Sequence, residues 1–218
     1  MKPATMIKVF TDKYTLVGPT FWIASAQYYL VQIIVGLAWS IGYSLRFNTI
    51  SDLGNTACGL YSGRYVCSPL HDLMNLSFLV LGTTMIIGST LIYQEFKETK
   101  GSRLGFSFMA VAGIGTLLVG SFPENTISSL HLLGAFLPFL IGNIGLVVLG
   151  TVLELPRWLK LYTIVSGVVA LIGLALFSTH IYLGLGIGGM ERVVAYPQTM
   201  WLIIFGIYMS STHIKVGS

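Results

Sequence analysis

No Asp, Glu, Lys or Arg occurs between Tyr14 and Leu45, and this uninterrupted run constrains the chain more than any other feature. About 20 predominantly apolar residues suffice for a helix to cross the hydrocarbon core of a bilayer, where every backbone polar group must find its partner within the chain. The pattern recurs along the sequence. Spans are expected near Phe21 to Tyr43, Leu73 to Tyr93, Leu104 to Ser121, Leu130 to Leu153, Leu161 to Tyr182 and Pro197 to His213. The fold class is therefore an all-α, polytopic transmembrane helical bundle of about six spans, or five if the last segment is re-entrant. With no internal repeat and no linker, residues 1–218 form a single integral membrane domain.

Composition agrees with this reading. Hydrophobic residues make up 54% of the chain and charged residues 9%, against about 25% charged in soluble domains. The basic residues sit in short segments between apolar runs and form no stripe, which argues against nucleic acid as a partner. Lys2, Lys8 and Lys13 followed by Ala24-Ser25-Ala26 resemble a signal peptide with its cleavage site. The apolar run continues well past that point, so a retained first span is expected.

Orientation follows from the connecting segments, since the side richer in Lys and Arg stays in the cytoplasm. Lys2, Lys8, Lys13, Lys97, Lys100, Arg103, Arg157, Lys160 and Lys215 fall on one side, and Arg46, Arg64 and Arg192 on the other. Both N-terminus and C-terminus are expected in the cytoplasm. The plasma membrane is the expected location, although an organelle membrane satisfies the same rule.

Helices in lipid associate through close packing and interhelical hydrogen bonds. The 25 glycines fit that need, among them Gly113, Gly115, Gly120, Gly142, Gly145 and Gly150. Gln27 and Gln32 are expected to hydrogen-bond between helices, and Pro138 to kink the fourth span.

The chemistry-bearing residues gather at the outer end. The only two cysteines, Cys58 and Cys67, lie in the long outer segment, where disulfides persist. A bridge between them is expected, with a pair of free thiols as the alternative. Asp52 is the only charge in Asn48-Thr49-Ile50-Ser51-Asp52-Leu53-Gly54-Asn55, a stretch that ordinary turn chemistry would also explain. His71 and Asp72 open the second span, Glu124 ends the third, His131 begins the fourth and His180 ends the fifth. Ionisable groups at that depth are costly to bury and point to function if they converge. Only His213 lies near the inner surface.

Ile50-Ser51-Asp52-Leu53-Gly54 after a first span, Pro69 before a second, then Gly120-Ser121-Phe122-Pro123-Glu124 with His131 soon after resemble the membrane family catalogued as domain of unknown function 998. More remotely, the same order is similar to the six-span Frag/DRAM/Sfk group, associated with lipid remodelling, lipid distribution or autophagy. The closer resemblance covers about the first four helices. It implies the fold and marks Ser51, Asp52, Gly54, Phe122, Pro123, Glu124 and His131, of which Ser51, Asp52, Glu124 and His131 are the candidate ligand-binding set.

Three function classes follow. In the first, the outer pocket recognises a membrane lipid head group, polyprenol, quinone or neighbouring membrane subunit, with Asp52 and His131 held by charge-assisted hydrogen bonds. In the second, His71, His131 and His180 ligate zinc in an intramembrane lipid hydrolase, Asp52 or Asp72 is a fourth ligand or orients them, and Glu124 or Asp72 is the general base. Its set of Ser, Asp and three His looks like the CREST lipid hydrolases, but the paired C-terminal H-x-x-x-H of that group is absent. In the third, His131 and His180 are axial ligands of a b-type haem.

Overall fold

The computed structural model describes residues 16–39 and 41–216, with side chains as far as residue 212. Lys2, Lys8 and Lys13, and the side chains of His213 and Lys215, lie outside the described residues. Six helical stretches are long and apolar enough to cross a membrane: Val17–Leu37, His71–Tyr93, Lys100–Ser121, Ser128–Val152, Arg157–Ser178 and Gly186–Thr212. The six-span expectation holds, and the five-span alternative does not.

The first span is two helices, α1 (Val17–Ala24) and α2 (Gln27–Leu37). At the joint, Ser25 N–H bonds Trp22 O and Ala26 N–H bonds Ile23 O, a tightened turn, while Ser25 Oγ reaches Thr84 Oγ1 at 3.1 Å. This span begins and ends earlier than the apolar run suggests, because the chain folds back after Leu37. Tyr43 packs its ring edge-on to Trp39 and donates its hydroxyl to Thr49 O at 2.8 Å.

A connecting segment follows, with a 3-10 helix (Ser51–Gly54) and a hairpin of β1 (Gly59–Tyr61) and β2 (Arg64–Val66). Gly59 faces Val66 and Tyr61 faces Arg64 in antiparallel register. Cys58 and Cys67 close the hairpin as a disulfide, Cα atoms 4.2 Å apart. Then come α3 (His71–Tyr93) and α4 (Lys100–Ser121). Helix α4 starts on a capping box in which Ser102 N–H bonds Thr99 Oγ1 at 3.0 Å and Thr99 N–H bonds Ser102 Oγ at 2.9 Å, satisfying two orphan donors.

The fourth span comprises α5 (Ser128–Phe136), a wide π turn (Leu137–Gly142) and α6 (Asn143–Val152). The π turn contains Pro138, whose missing N–H breaks the α-helical ladder. Asn143 Nδ2 donates to Phe139 O at 2.9 Å. Helices α7 (Arg157–Ser178) and α8 (Gly186–Val216) complete the bundle. Helix α8 starts well before Pro197, which lies inside it, so Glu191 and Arg192 belong to a helix and not to a connecting loop.

Packing relies on small residues. A Cβ on Gly82 would sit 2.6 Å from Gly113 O, and one on Gly113 would sit 2.7 Å from Gly82 O, so α3 and α4 touch backbone to backbone. Trp22, Trp201 and Phe205 are fully buried and mutually packed, with centroids 4.7–5.6 Å apart. Trp201 Nε1 donates to Thr163 Oγ1 at 2.8 Å, giving the buried indole its partner. Ser77 Oγ donates to Gln27 Oε1 at 2.7 Å, and Tyr196 Oη to Gln32 Oε1 at 2.9 Å, so both glutamines bond between helices as expected. Leu30, Ile33, Leu37, Val165 and Ile172 point outward, where lipid would solvate them.

Candidate functional site

The segment that follows the first span is held from two directions. On one side, the carboxylate of Asp52, fully buried, collects the Thr49 N–H at 2.9 Å and the Asn48 Nδ2 at 3.3 Å. Asp52 N–H returns a bond to Thr49 Oγ1 at 3.0 Å, which rolls the chain into the 3-10 turn. Arg64, at the start of β2, forks onto the same carboxylate, Nη2 to Oδ1 at 2.6 Å and Nε to Oδ2 at 2.7 Å. Such bidentate pairing fixes geometry as well as charge.

The opposite direction is supplied by α8. Arg192 Nη1 donates to Gly188 O at 2.7 Å, Asn48 O at 3.0 Å and Leu45 O at 3.2 Å, and its Nη2 donates to the Tyr43 hydroxyl. Glu191 accepts the Ile50 N–H on Oε2 and the Ser51 hydroxyl on Oε1, the latter at 3.2 Å. Burying polar and charged groups is tolerated where hydrogen bonds replace water, and the 45–51 segment supplies most of those bonds here, with Arg192 Nε left without a partner.

Glu124 completes the cluster from the turn after α4. Asn55 Nδ2 donates to Glu124 Oε1 at 2.9 Å, and Arg64 Nη2 stands 3.9 Å from Oε2. Burial, then the hydrogen bond and the charge of Asp52, push the Glu124 carboxyl up to about 9. For Asp52, burial raises the pKa, but the hydrogen bonds of Arg64 and Glu124, the guanidinium charge and the Thr49 N–H together hold it below the usual carboxylate range. At neutral pH the group thus carries one anion, Asp52, one cation, Arg64, and a neutral Glu124 carboxyl that donates to Asp52.

His131, in the first turn of α5, is buried beside the cluster. Its Nδ1 lies 2.9 Å from Phe122 O. A carbonyl only accepts, so Nδ1 carries a proton. Its Nε2 lies 3.0 Å from Ser51 Oγ. Ser51 Oγ is therefore flanked by an imidazole nitrogen and a carboxylate oxygen.

Ser51 and Glu191 also line a concavity between spans, together with Tyr28, Phe78, Leu81, Met85, Val119, Phe139 and Ala195 among others. Its inner core is about 50 Å³ and its whole volume, open mouth included, about 490 Å³. The core alone has room for about three waters. The walls are mostly apolar, and Ser51 and Glu191 put the polar cluster on one side of them.

A family model described as protein of unknown function (DUF998) matches residues 22–208, which reaches into all six spans and takes in the whole cluster. The chain belongs to the DUF998 family. No curated protein and no solved structure matches it. The more distant likeness to the Frag/DRAM/Sfk group rests on the short motifs alone.

In this DUF998 chain, Ser51, Asp52, Glu124 and His131 meet in one cluster around the 48–55 segment, Ser51 bonded to His131 and Glu191, and Asp52 to Arg64, which stands beside Glu124. His71, Asp72 and His180 do not join it. His71 Nδ1 bonds Ser68 O at 2.9 Å, and its Nε2 faces Asp72 Oδ1 at 3.4 Å, with the Asp72 side chain 95% exposed. His180 is exposed at the end of α7 with φ 61° and its ring beside Tyr182. Among the described residues no group of three or more His, Cys, Asp or Glu is arranged to hold a metal ion. The expected zinc set of His71, His131 and His180 is thus not assembled. For the axial pair expected of a haem, His131 is buried in the cluster while His180 is exposed beyond the end of α7.

Sequence reading missed Arg64, Glu191 and Arg192. By sequence the two arginines count only as outer loop charges, and Glu191-Arg192 precedes the apolar run that begins near Pro197. One signal was present: no turn residue separates Met190 from Tyr196, so the helical pattern extends back through the charges.

Proposed function

We propose that this protein binds an amphiphile, a membrane lipid whose polar group meets Ser51 and Glu191 while its apolar part lies along Phe78, Leu81, Met85 and Val119. The concavity carries this reading: its walls are largely apolar and open between spans, and Ser51 and Glu191 supply convergent hydrogen-bonding groups, the usual make-up of a small-molecule site. This polar end is taken to face the outer side of the membrane, a reading the basic-residue count supports. Asp52, Arg64, Glu124 and Arg192 have a supporting role, since they hold the 48–55 segment that presents Ser51.

Ala195 lies against the concavity and is only 9% exposed, so Ala195→Leu would fill it. Lipid that co-purifies with the wild type and survives extensive detergent washing is expected to fall several-fold in Ala195→Leu. Val165→Leu, on the outward face of α7, should retain it. Equal retention in both variants, each shown folded by thermal unfolding, would count against the concavity as the binding site.

A further inference from the structure

Three features of the Ser51 environment go beyond holding a ligand. First, Ser51 Oγ and His131 Nε2 are 3.0 Å apart, within the reach that proton transfer to a base requires. Second, His131 is oriented by a third group, since its Nδ1–H is donated to Phe122 O at 2.9 Å. In the neutral imidazole this leaves Nε2 with a free lone pair directed at the serine. Nucleophile, base and orienter in that order are the arrangement by which enzymes activate a hydroxyl. Third, Ser51 borders the concavity and is only partly buried, while His131, which does not line it, is nearly inaccessible.

From this geometry we infer that Ser51 is a nucleophile and His131 its general base in acyl transfer from a lipid ester bound in the concavity. The inference rests on the amphiphile-binding reading and adds a reaction to it. Ser51 Oγ bonds to the ester carbonyl carbon as its proton passes to His131 Nε2. The bond from that carbon to the alcohol oxygen then breaks, and the imidazolium returns the proton to the departing alcohol. Water attacks the acyl-serine, giving its proton to the same nitrogen. The acid leaves and Ser51 regains its hydroxyl. Glu191 is a positioning residue: it accepts the Ile50 N–H and so fixes the backbone immediately before the nucleophile. It also competes with His131 for the one serine proton, so that its protonation state biases the dyad.

The test uses full-length protein in lipid nanodiscs and two probes, a long-chain alkyl fluorophosphonate that phosphonylates activated serines and a photoactivatable fatty-acyl probe that reports occupancy of the concavity. The expected result is one adduct, mapped by mass spectrometry to Ser51, with a labelling rate at least about 100-fold lower in His131→Gln and undiminished photoprobe occupancy. Gln keeps a polar atom near Ser51 without a base, and the occupancy shows that the variant is folded. The wild-type labelling rate should also fall as pH drops and the imidazole protonates. Photoprobe occupancy without a Ser51 adduct, or labelling of His131→Gln as fast as the wild type, would overturn acyl transfer and leave binding standing. If neither probe reacts with the wild type, the binding reading falls and this inference with it.

Discussion

At the residue scale, the protein buries an unusual amount of charge where its first span meets the 48–55 segment, and Glu124 makes that burial testable by titration. Its carboxyl is held up to about 9 from an ordinary value of 4.5, so the folded state keeps a proton that the unfolded state releases. Stability from Glu124 is therefore complete below about 4.5 and is lost as pH rises towards about 9. Asp52 has the opposite sign: its pKa is depressed, and its contribution is lost only as pH falls through the carboxylate range. Glu124→Gln retains a donor for Asp52 and an acceptor for Asn55 while removing the titration. Its unfolding temperature is expected to stay level between pH 5 and 9, whereas that of the wild type declines, with each kcal/mol worth about 2–4 °C. Parallel curves would show that Glu124 is ionised in the folded protein. Asp52, Glu124 and His131 were legible as single polar residues at one depth. Their sorting was not, because pairing across span ends far apart in sequence leaves no mark on local pattern. His71 and His180 looked equivalent to His131 by depth alone, and only the directions of α3 and α7 separate them.

At the element scale, the hairpin is the device that brings Arg64 to Asp52. Too short to stand alone, it is closed by Cys58–Cys67 at a separation of 9 residues, a loop for which chain entropy gives about 3 kcal/mol. Reducing the disulfide, or making Cys58→Ser, is expected to loosen Arg64 from Asp52 and to lower the unfolding temperature. In intact cells the wild type should resist an impermeant maleimide until an impermeant reductant is added, and Cys67 in Cys58→Ser should react directly. Full labelling without reduction would contradict the bridge. Labelling only after permeabilisation would instead place this end of the bundle on the cytoplasmic side. The spans were legible because bilayer thickness sets their length, and the cysteines because only one pairing exists. The ends of the first and last spans were less so, for opposite reasons. Apolar Trp39 and Tyr43 lie outside a helix they resemble, since Tyr43 bonds back to Thr49 O, and charged Glu191 and Arg192 lie inside one, where Tyr43 and the 45–51 segment supply most of their hydrogen bonds.

At the scale of the whole molecule, a six-helix bundle is joined by small-residue contacts and presents one polar cluster beside an apolar concavity at the end that carries the disulfide. Backbone contact between Gly82 and Gly113 brings α3 against α4, and Phe78, Leu81 and Met85 from α3 line the concavity together with Val119 from α4. Every buried charge near it is used to hold the chain that carries Ser51. The central claim is that an amphiphile occupies this space, and photocrosslinking tests it most directly. Protein in native membranes would be irradiated with a photoactivatable fatty-acyl probe and the modified residues mapped by mass spectrometry. Occupancy predicts adducts on Phe78, Leu81, Met85, Val119 or Ala195 that are lost in Ala195→Leu. Adducts confined to outward residues such as Leu30, Ile33, Val165 and Ile172, unchanged by that substitution, would contradict it.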